Sequence, residues 1–109
     1  LGIIDSYRHG FSLDDFLHAL VHGPVMVGTN WYTGFFTPDV RGLVTISGEL
    51  AGGHEYLAIG IDVEQREVIF MNSWGPGWSV SGTFRMTWDT MDQLLKDNGD
   101  TMTMNVVTT

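Results

Sequence analysis

The sequence predicts an α+β domain, with one helix near the N-terminus, a run of mainly antiparallel strands, and a short helix near the C-terminus. Three observations carry this. Residues 12–22 repeat apolar side chains at helical spacing, residues 54–72 hold two β-rich runs around a short polar turn, and residues 90–99 repeat a helical pattern between capping signals.

In the first helix Ser12 is placed to cap, with Asp15 three residues on. Leu13, Phe16, Leu17, Leu20 and Val21 follow the i, i+3, i+4, i+7, i+8 spacing of a single buried face. Gly23 and Pro24 stop the helix. "PVMVGTNW" at 24–31 then reads as a strand, and "YTGFFTPDVRGL" as a loop. Trp31, Tyr32, Phe35 and Phe36 are expected to pack beneath that loop rather than to form a partner surface. "LVTISG" at 43–48 reads as a short strand before the glycine-rich "ELAGG".

"HEYLAIGID" at 54–62 and "REVIFMN" at 66–72 are rich in β-branched and aromatic residues and form a predicted hairpin. After the turn "SWGPGW", "GTFRMTW" at 82–88 reads as another strand. "TMDQLLKDNG" at 90–99 reads as a helix with a Thr90 to Gln93 capping box and Gly99 at its end. The alternating tail "TMTMNVV" predicts a half-buried strand.

A length of 109 residues fits one domain, spanning 1–109, and the 43% apolar share is that of a folding chain. The formal charge of −8 repels phosphate backbones and anionic lipid, so neither nucleic acid nor a membrane surface is an expected partner. No apolar run is long enough to span a bilayer, and "LGIIDSYRHG" lacks a signal-peptide pattern. With Met26 the first methionine, Leu1 is not expected to be a translation start. Zero cysteines exclude disulfides, thiolate metal sites and a cysteine nucleophile from this chain.

The polar residues that core packing does not explain are His54, at the start of one hairpin strand, and Asn72, at the end of the other. A turn centred near Glu64 sets Tyr56 opposite Asn72 and His54 opposite Trp74. His54 and Asn72 then share a face as diagonal neighbours, roughly 7–8 Å apart at the backbone. A one-residue bulge would part them. A carboxamide oxygen accepting from an imidazole N–H fixes the ring's tautomer and frees its other nitrogen for a proton, which is the orienter-and-base half of a nucleophilic triad. Indoles over that bond would exclude water, and Gly75, Pro76 and Gly77 would let the chain turn back to bring them there.

His18 and His22 stand four apart on the first helix, a spacing that can bind zinc. They lack an intervening Glu in the needed pattern and share a polar face with Asp14 and Asp15, so the reading is a solvated face and no metal site. Ser73 and Ser79 read as turn residues.

"GGHEYLAIGID", the eighteen positions from His54 to Asn72, and "NSWGPGWSVSGTFRM" resemble the second half of papain-like cysteine peptidases. "SLDDFLHALVHGPVMVGTNW" is similar to that family's helix leading into a Gly/Pro-Val strand, and "WDTMDQLL" to a segment of some phage and bacterial relatives. The resemblance implies the papain-like right-hand lobe, a mainly antiparallel sheet or half-barrel. It implies that His54 is the general base and Asn72 its orienter, and that Trp74 shields the pair and borders the primed side of the cleft. Trp78 would pack behind Trp74, and Gly52 and Gly53 would line the non-primed wall. Glu55 departs from the small apolar residue common there and reads as a solvent-side or supporting residue.

In such peptidases the nucleophilic Cys precedes its His by roughly 130 residues, so that Cys, with the Gln of the oxyanion hole, would fall before Leu1. The implied partners are a peptide or protein substrate and an N-terminal Cys-bearing lobe, with no cofactor. The expected function is therefore a cysteine-peptidase lobe supplying His54 and Asn72. The alternatives are an inactive structural or assembly module and, on the same scaffold, an acyl-transfer or deamidating activity.

Overall fold

The computed structural model describes residues 6–9, 12–97 and 99–103. In chain order these form β1 (Ser6–His9), α1 (Leu13–His22), β2 (Val25–Tyr32), a 3-10 turn (Thr33–Phe36), β3 (Leu50–Asp62), β4 (Glu67–Met71), β5 (Thr83–Thr87), α2 (Trp88–Lys96) and β6 (Asp100–Thr103). All strands join one six-stranded sheet in the order β1-β6-β2-β3-β4-β5. Every pairing is antiparallel. The architecture is α+β, with an open sheet and two helices.

Alternation builds the core. Val25, Val27, Thr29 and Trp31 of β2 are buried, as are Tyr56 and Ala58 of β3, Val68 and Phe70 of β4, and Phe84 and Met86 of β5. Period-2 patterning turns these side chains to one face, where Phe16 and Leu20 of α1 and Met91, Leu94 and Leu95 of α2 meet them in one cluster. Phe16 is fully buried, so its truncation to alanine would cost about 3–5 kcal/mol.

Ser12 caps α1 as its sequence position suggests, its Oγ accepting from the Asp15 N–H at 3.1 Å. Val21, by contrast, is 73% exposed and not part of the buried face. The buried stripe is centred on Phe16 and Leu20, and at 100° per residue Val21 lies about 120° round the helix from that centre. Helix α2 also begins earlier than its expected Thr90 cap. Thr87, the last residue of β5, is the N-cap and accepts from the Thr90 N–H at 3.1 Å. Gly99 closes against the last turn of α2, where a Cβ would sit 2.7 Å from the Leu94 carbonyl oxygen.

Three further expectations are corrected. Residues 43–48 do not form a strand; they meet the sheet only through an isolated bridge of Leu43 to Arg85. Asp39 Oδ1 instead gathers the backbone N–H groups of Arg41 and Leu43, and Ser47 and Glu49 bond back to Gly34 and Thr33. This loop also covers the β5 edge, the Val44 N–H donating to the Arg85 carbonyl at 2.9 Å. The glycine-rich "LAGG", expected before the strand, lies inside β3, held by pairing of Gly52 to Trp31 and Gly53 to Asn30. Strand β1, which is not expected from local sequence pattern, pairs with β6. The expected tail strand is seen as Asp100–Thr103, and its remainder lies outside the described residues.

The outer face of β4 and β5 carries an ionic cluster. Glu67 is 3% exposed and is held by Arg41 through both oxygens at 2.9 and 3.1 Å, with Arg85 at 3.3 Å. Arg85 also bonds Asp62 at 2.9 Å. The Gln65 backbone N–H, seconded by Arg85, holds the Asp62 carboxyl below the usual carboxylate range. Spanning the β3–β4 turn, these contacts fix the hairpin whose far end carries the site.

Candidate active site

The β3–β4 hairpin sets the geometry. Asp62 pairs with Glu67 across a four-residue turn, a bulge at Ile59 shifts the ladder by one, and Leu57 then pairs with Met71. The turn is half a residue off the expected centre. The bulge restores the register beyond it, so continuing past the last pair sets Tyr56 against Asn72. Since the bulge lies between the turn and the site, His54 and Asn72 stay on one face.

They are joined by a hydrogen bond, His54 Nε2 to Asn72 Oδ1, at 2.8 Å. The carboxamide oxygen also accepts from the Ser73 backbone N–H at 2.9 Å. An amide turned the other way would point its NH₂ at the Ser73 N–H, itself a donor, so the backbone fixes which end faces the ring. Nε2 must then carry the proton, and Nδ1 is left with a lone pair and no hydrogen bond among the described residues. Asn72 is 6% exposed, and its Nδ2 finds no acceptor among the described residues. Its own backbone N–H donates to the Gly82 carbonyl at 3.0 Å.

Aromatic rings enclose the pair. Trp74 stacks on His54, centroids 5.0 Å apart at 30°, and Phe36 stacks on Trp74 at 5.5 Å and 15°. Trp78 meets Trp74 edge-on at 4.9 Å, and its indole N–H donates to the Phe36 carbonyl at 3.2 Å. Trp74 is 38% exposed, so the ring stacked on His54 also faces solvent. Beneath them Trp31 contacts His54 edge-on at 4.7 Å and also touches Phe35, Phe36, Tyr56, Trp74 and Phe84. Tyr56 stacks beside His54, and its hydroxyl bonds Thr29 Oγ1 at 2.7 Å. Burial pushes the Tyr56 phenol well above its usual pKa, only partly opposed by the Thr29 bond.

His54 borders two recesses. One, of about 120 Å³, is aromatic, formed by Trp31, Phe36 and Trp74 with Ala51, Gly52 and Gly53. The other, of about 680 Å³, is polar, formed by Gly28, Thr29, Asn30, Gly53, Glu55 and Ser73. Gly53 borders both. Gly52, expected on the opposite side of the cleft from Trp74, shares the aromatic recess with it, because its ladder partner is Trp31.

Sequence reasoning does not single out several residues of this region. The burial of Trp31 matches the expected packing under the loop, but its contact with His54 depends on pairing across β2 and β3. Phe36 arrives from the 3-10 turn. Gly82 adopts φ 81°, where a Cβ would lie 3.0 Å from the Gly75 carbonyl oxygen, and so lets the turn close on the Asn72 backbone. Its position ten residues after Asn72, ahead of a β-rich run, is the one signal that could have found it. In the expected turn, Gly75 uses positive φ, at 89°, and Gly77 does not. His18 and His22 are exposed on α1 and line neither recess. Among the described residues no group of three or more His, Cys, Asp or Glu could hold a metal.

The papain family cysteine protease model matches residues 5–104, and the chain belongs to that family. No curated protein sequence matches the chain. Among solved structures, xylellain, a cysteine protease from Xylella fastidiosa, matches with a TM-score of 0.76 and 22% identity over 96% of this chain and 41% of its own. The bromelain protease from Ananas comosus, in complex with the E64 inhibitor, matches at 0.66 and 20% over 95% and 51%. A Carica candamarcensis cysteine protease, also with E-64, matches at 0.69 and 16% over 96% and 50%. These likenesses establish the fold, and the chain spans about half or less of each relative's length.

Proposed function

We propose that this chain is the His/Asn-bearing lobe of a papain-like cysteine peptidase, completed by a Cys-bearing lobe outside this sequence, and that it acts on peptide or protein substrates. The observation that carries the reading is the His54 Nε2–H···Oδ1 Asn72 bond, with Oδ1 locked by the Ser73 N–H and Nδ1 left free. The length of the relatives, roughly twice that of this chain, agrees with a second lobe.

In this reading a cysteine thiol gives its proton to His54 Nδ1, and the resulting imidazolium is held by Asn72 through Nε2–H. The thiolate attacks the scissile carbonyl carbon. As the tetrahedral intermediate collapses, His54 returns the proton to the departing amine, leaving a thioester acyl-enzyme. Water then gives a proton to Nδ1 as its oxygen attacks the thioester, and the proton passes to the leaving thiolate, releasing the acid. Asn72 keeps the ring aimed through both half-reactions. Trp74, stacked on the ring, keeps water from competing for the Nε2–H bond. Gly53, bordering both recesses, leaves room for substrate backbone beside the imidazole.

The test is labelling of the full-length polypeptide that contains this sequence with a thiol-directed peptidyl probe, read by intact mass, alongside peptide hydrolysis. The expected result is one probe mass gained, with labelling and turnover abolished by His54→Ala and turnover weakened by Asn72→Ala. Full hydrolysis by the His54→Ala protein would overturn the assignment.

A further inference from the structure

The polar recess has a chemistry of its own. We propose that it receives a positively charged substrate side chain, lysine or arginine, and that Glu55 is the residue that selects it. This rests on the peptidase reading above and adds the substrate class to it.

Three observations carry the proposal. First, the recess is open because of the register of β2 and β3. Gly28 pairs with Glu55, and Asn30 with Gly53, so on each of these rungs β2 and β3 together bring only one side chain to the wall. The result is a space of about 680 Å³ directly beside His54, ample for a long side chain. Second, Glu55 is the one acidic side chain lining it among the described residues. Its Cγ lies 3.7 Å from where a Gly28 Cβ would be, so the stem rests beside the bare glycine. Third, Glu55 is exposed and makes no ion pair or hydrogen bond among the described residues. The acids of the outer-face cluster are already neutralised by Arg41 and Arg85, whereas this one is available.

A cationic group at the end of a three- or four-carbon stem is the complement to such a wall. Its aliphatic stem would cross Gly28, and its charged head would meet the carboxylate, with the Asn30 and Ser73 side chains as further polar neighbours. An acidic side chain there would face like charge without relief. The chain's formal charge of −8 acts in the same direction at longer range, favouring encounter with basic peptides.

The experiment uses the full-length polypeptide and matched peptides that carry arginine or its uncharged isostere citrulline at the position under test. The expected arginine-to-citrulline ratio of kcat/KM is about tenfold, as for a charge-assisted contact at a partly hydrated site. Glu55→Gln brings this ratio close to one, and Glu55→Lys reverses it. A ratio near one in the unmodified protein, or a ratio that Glu55→Gln leaves unchanged, overturns the proposal while the peptidase reading stands.

Binding of the same two peptides to the full-length His54→Ala variant, by calorimetry, separates the two ideas. If the protein with His54 intact hydrolyses neither peptide but arginine binds more tightly than citrulline in a Glu55-dependent way, the peptidase reading falls and the basic recess stands. If neither hydrolysis nor preferential binding is seen, both fall. Gly28→Leu gives an independent steric check. A Cβ at that position meets only ordinary contacts, so the variant is expected to fold, and the added side chain should obstruct arginine more than alanine at the tested position.

Discussion

Replacing Asn72 by alanine separates positioning from stability. The Asn72 oxygen accepts two hydrogen bonds, from His54 at 2.8 Å and from Ser73 at 2.9 Å. At about 1 kcal/mol each, their loss costs about 2 kcal/mol. The same substitution removes the buried Nδ2, which has no acceptor among the described residues, and relieves a desolvation penalty of about 1–3 kcal/mol. The freed Ser73 N–H belongs to an exposed residue and can turn to water. Asn72→Ala should therefore shift unfolding by no more than about 1 kcal/mol. Its effect on His54 should be plain, because the lost bond of about 1 kcal/mol is what favours the Nε2–H tautomer about fivefold. Nitrogen-15 spectra of the imidazole in alkaline buffer would read the tautomer ratio, and urea titration would read stability. An unchanged ratio, or a destabilisation above about 3 kcal/mol, would show that Asn72 braces the turn instead of aiming the ring.

Two other substitutions probe the scaffold. Arg41 and Arg85 both bond the carboxylate of the buried Glu67, and each arginine is itself partly solvated. Arg41→Ala or Arg85→Ala alone should cost about 1 kcal/mol or less, while the double variant strands a buried charge and should cost about 3 kcal/mol or more. Additive urea midpoints would refute that coupling. Tyr56→Phe should cost about 1 kcal/mol at neutral pH, since Thr29 Oγ1 still donates to the Asn30 carbonyl at 3.0 Å. The folded-state phenol pKa is raised, so its contribution is complete below the unfolded value of about 10 and is lost as pH climbs toward the folded one. Parent and variant stability should converge as pH rises above about 10 and then cross, and curves that stay parallel would show that Tyr56 does not contribute to alkaline unfolding.

Local features are legible in the residues themselves. The α1 cap at Ser12, the β3–β4 hairpin and the proximity of His54 to Asn72 depend on residues close in sequence or on one short turn, where propensity and period-2 alternation act directly. The segment "NSWGPGW" likewise points to the papain family, which the match over residues 5–104 bears out. The Ile59 bulge is not legible, because nothing local distinguishes it from the neighbouring apolar positions.

The rest requires tertiary structure. "LAGG" has poor strand propensity, yet it extends β3 because β2 offers a ladder from Val25 to Tyr32. "LVTISG" has good propensity, yet Asp39 and the 3-10 turn claim the backbone nearby, and no strand forms. Trp31 becomes the centre of the ring cluster through contacts with residues 23 to 53 positions away, from His54 to Phe84. The pairing of Gly28 with Glu55, which opens the polar recess, spans 27 positions. By itself the sequence determined which segments could be helix or hairpin and which two polar side chains would meet. Which side chains surround that pair, and where a substrate could lie, was decided by non-local strand pairing, whose register depends on how every buried face packs against the others.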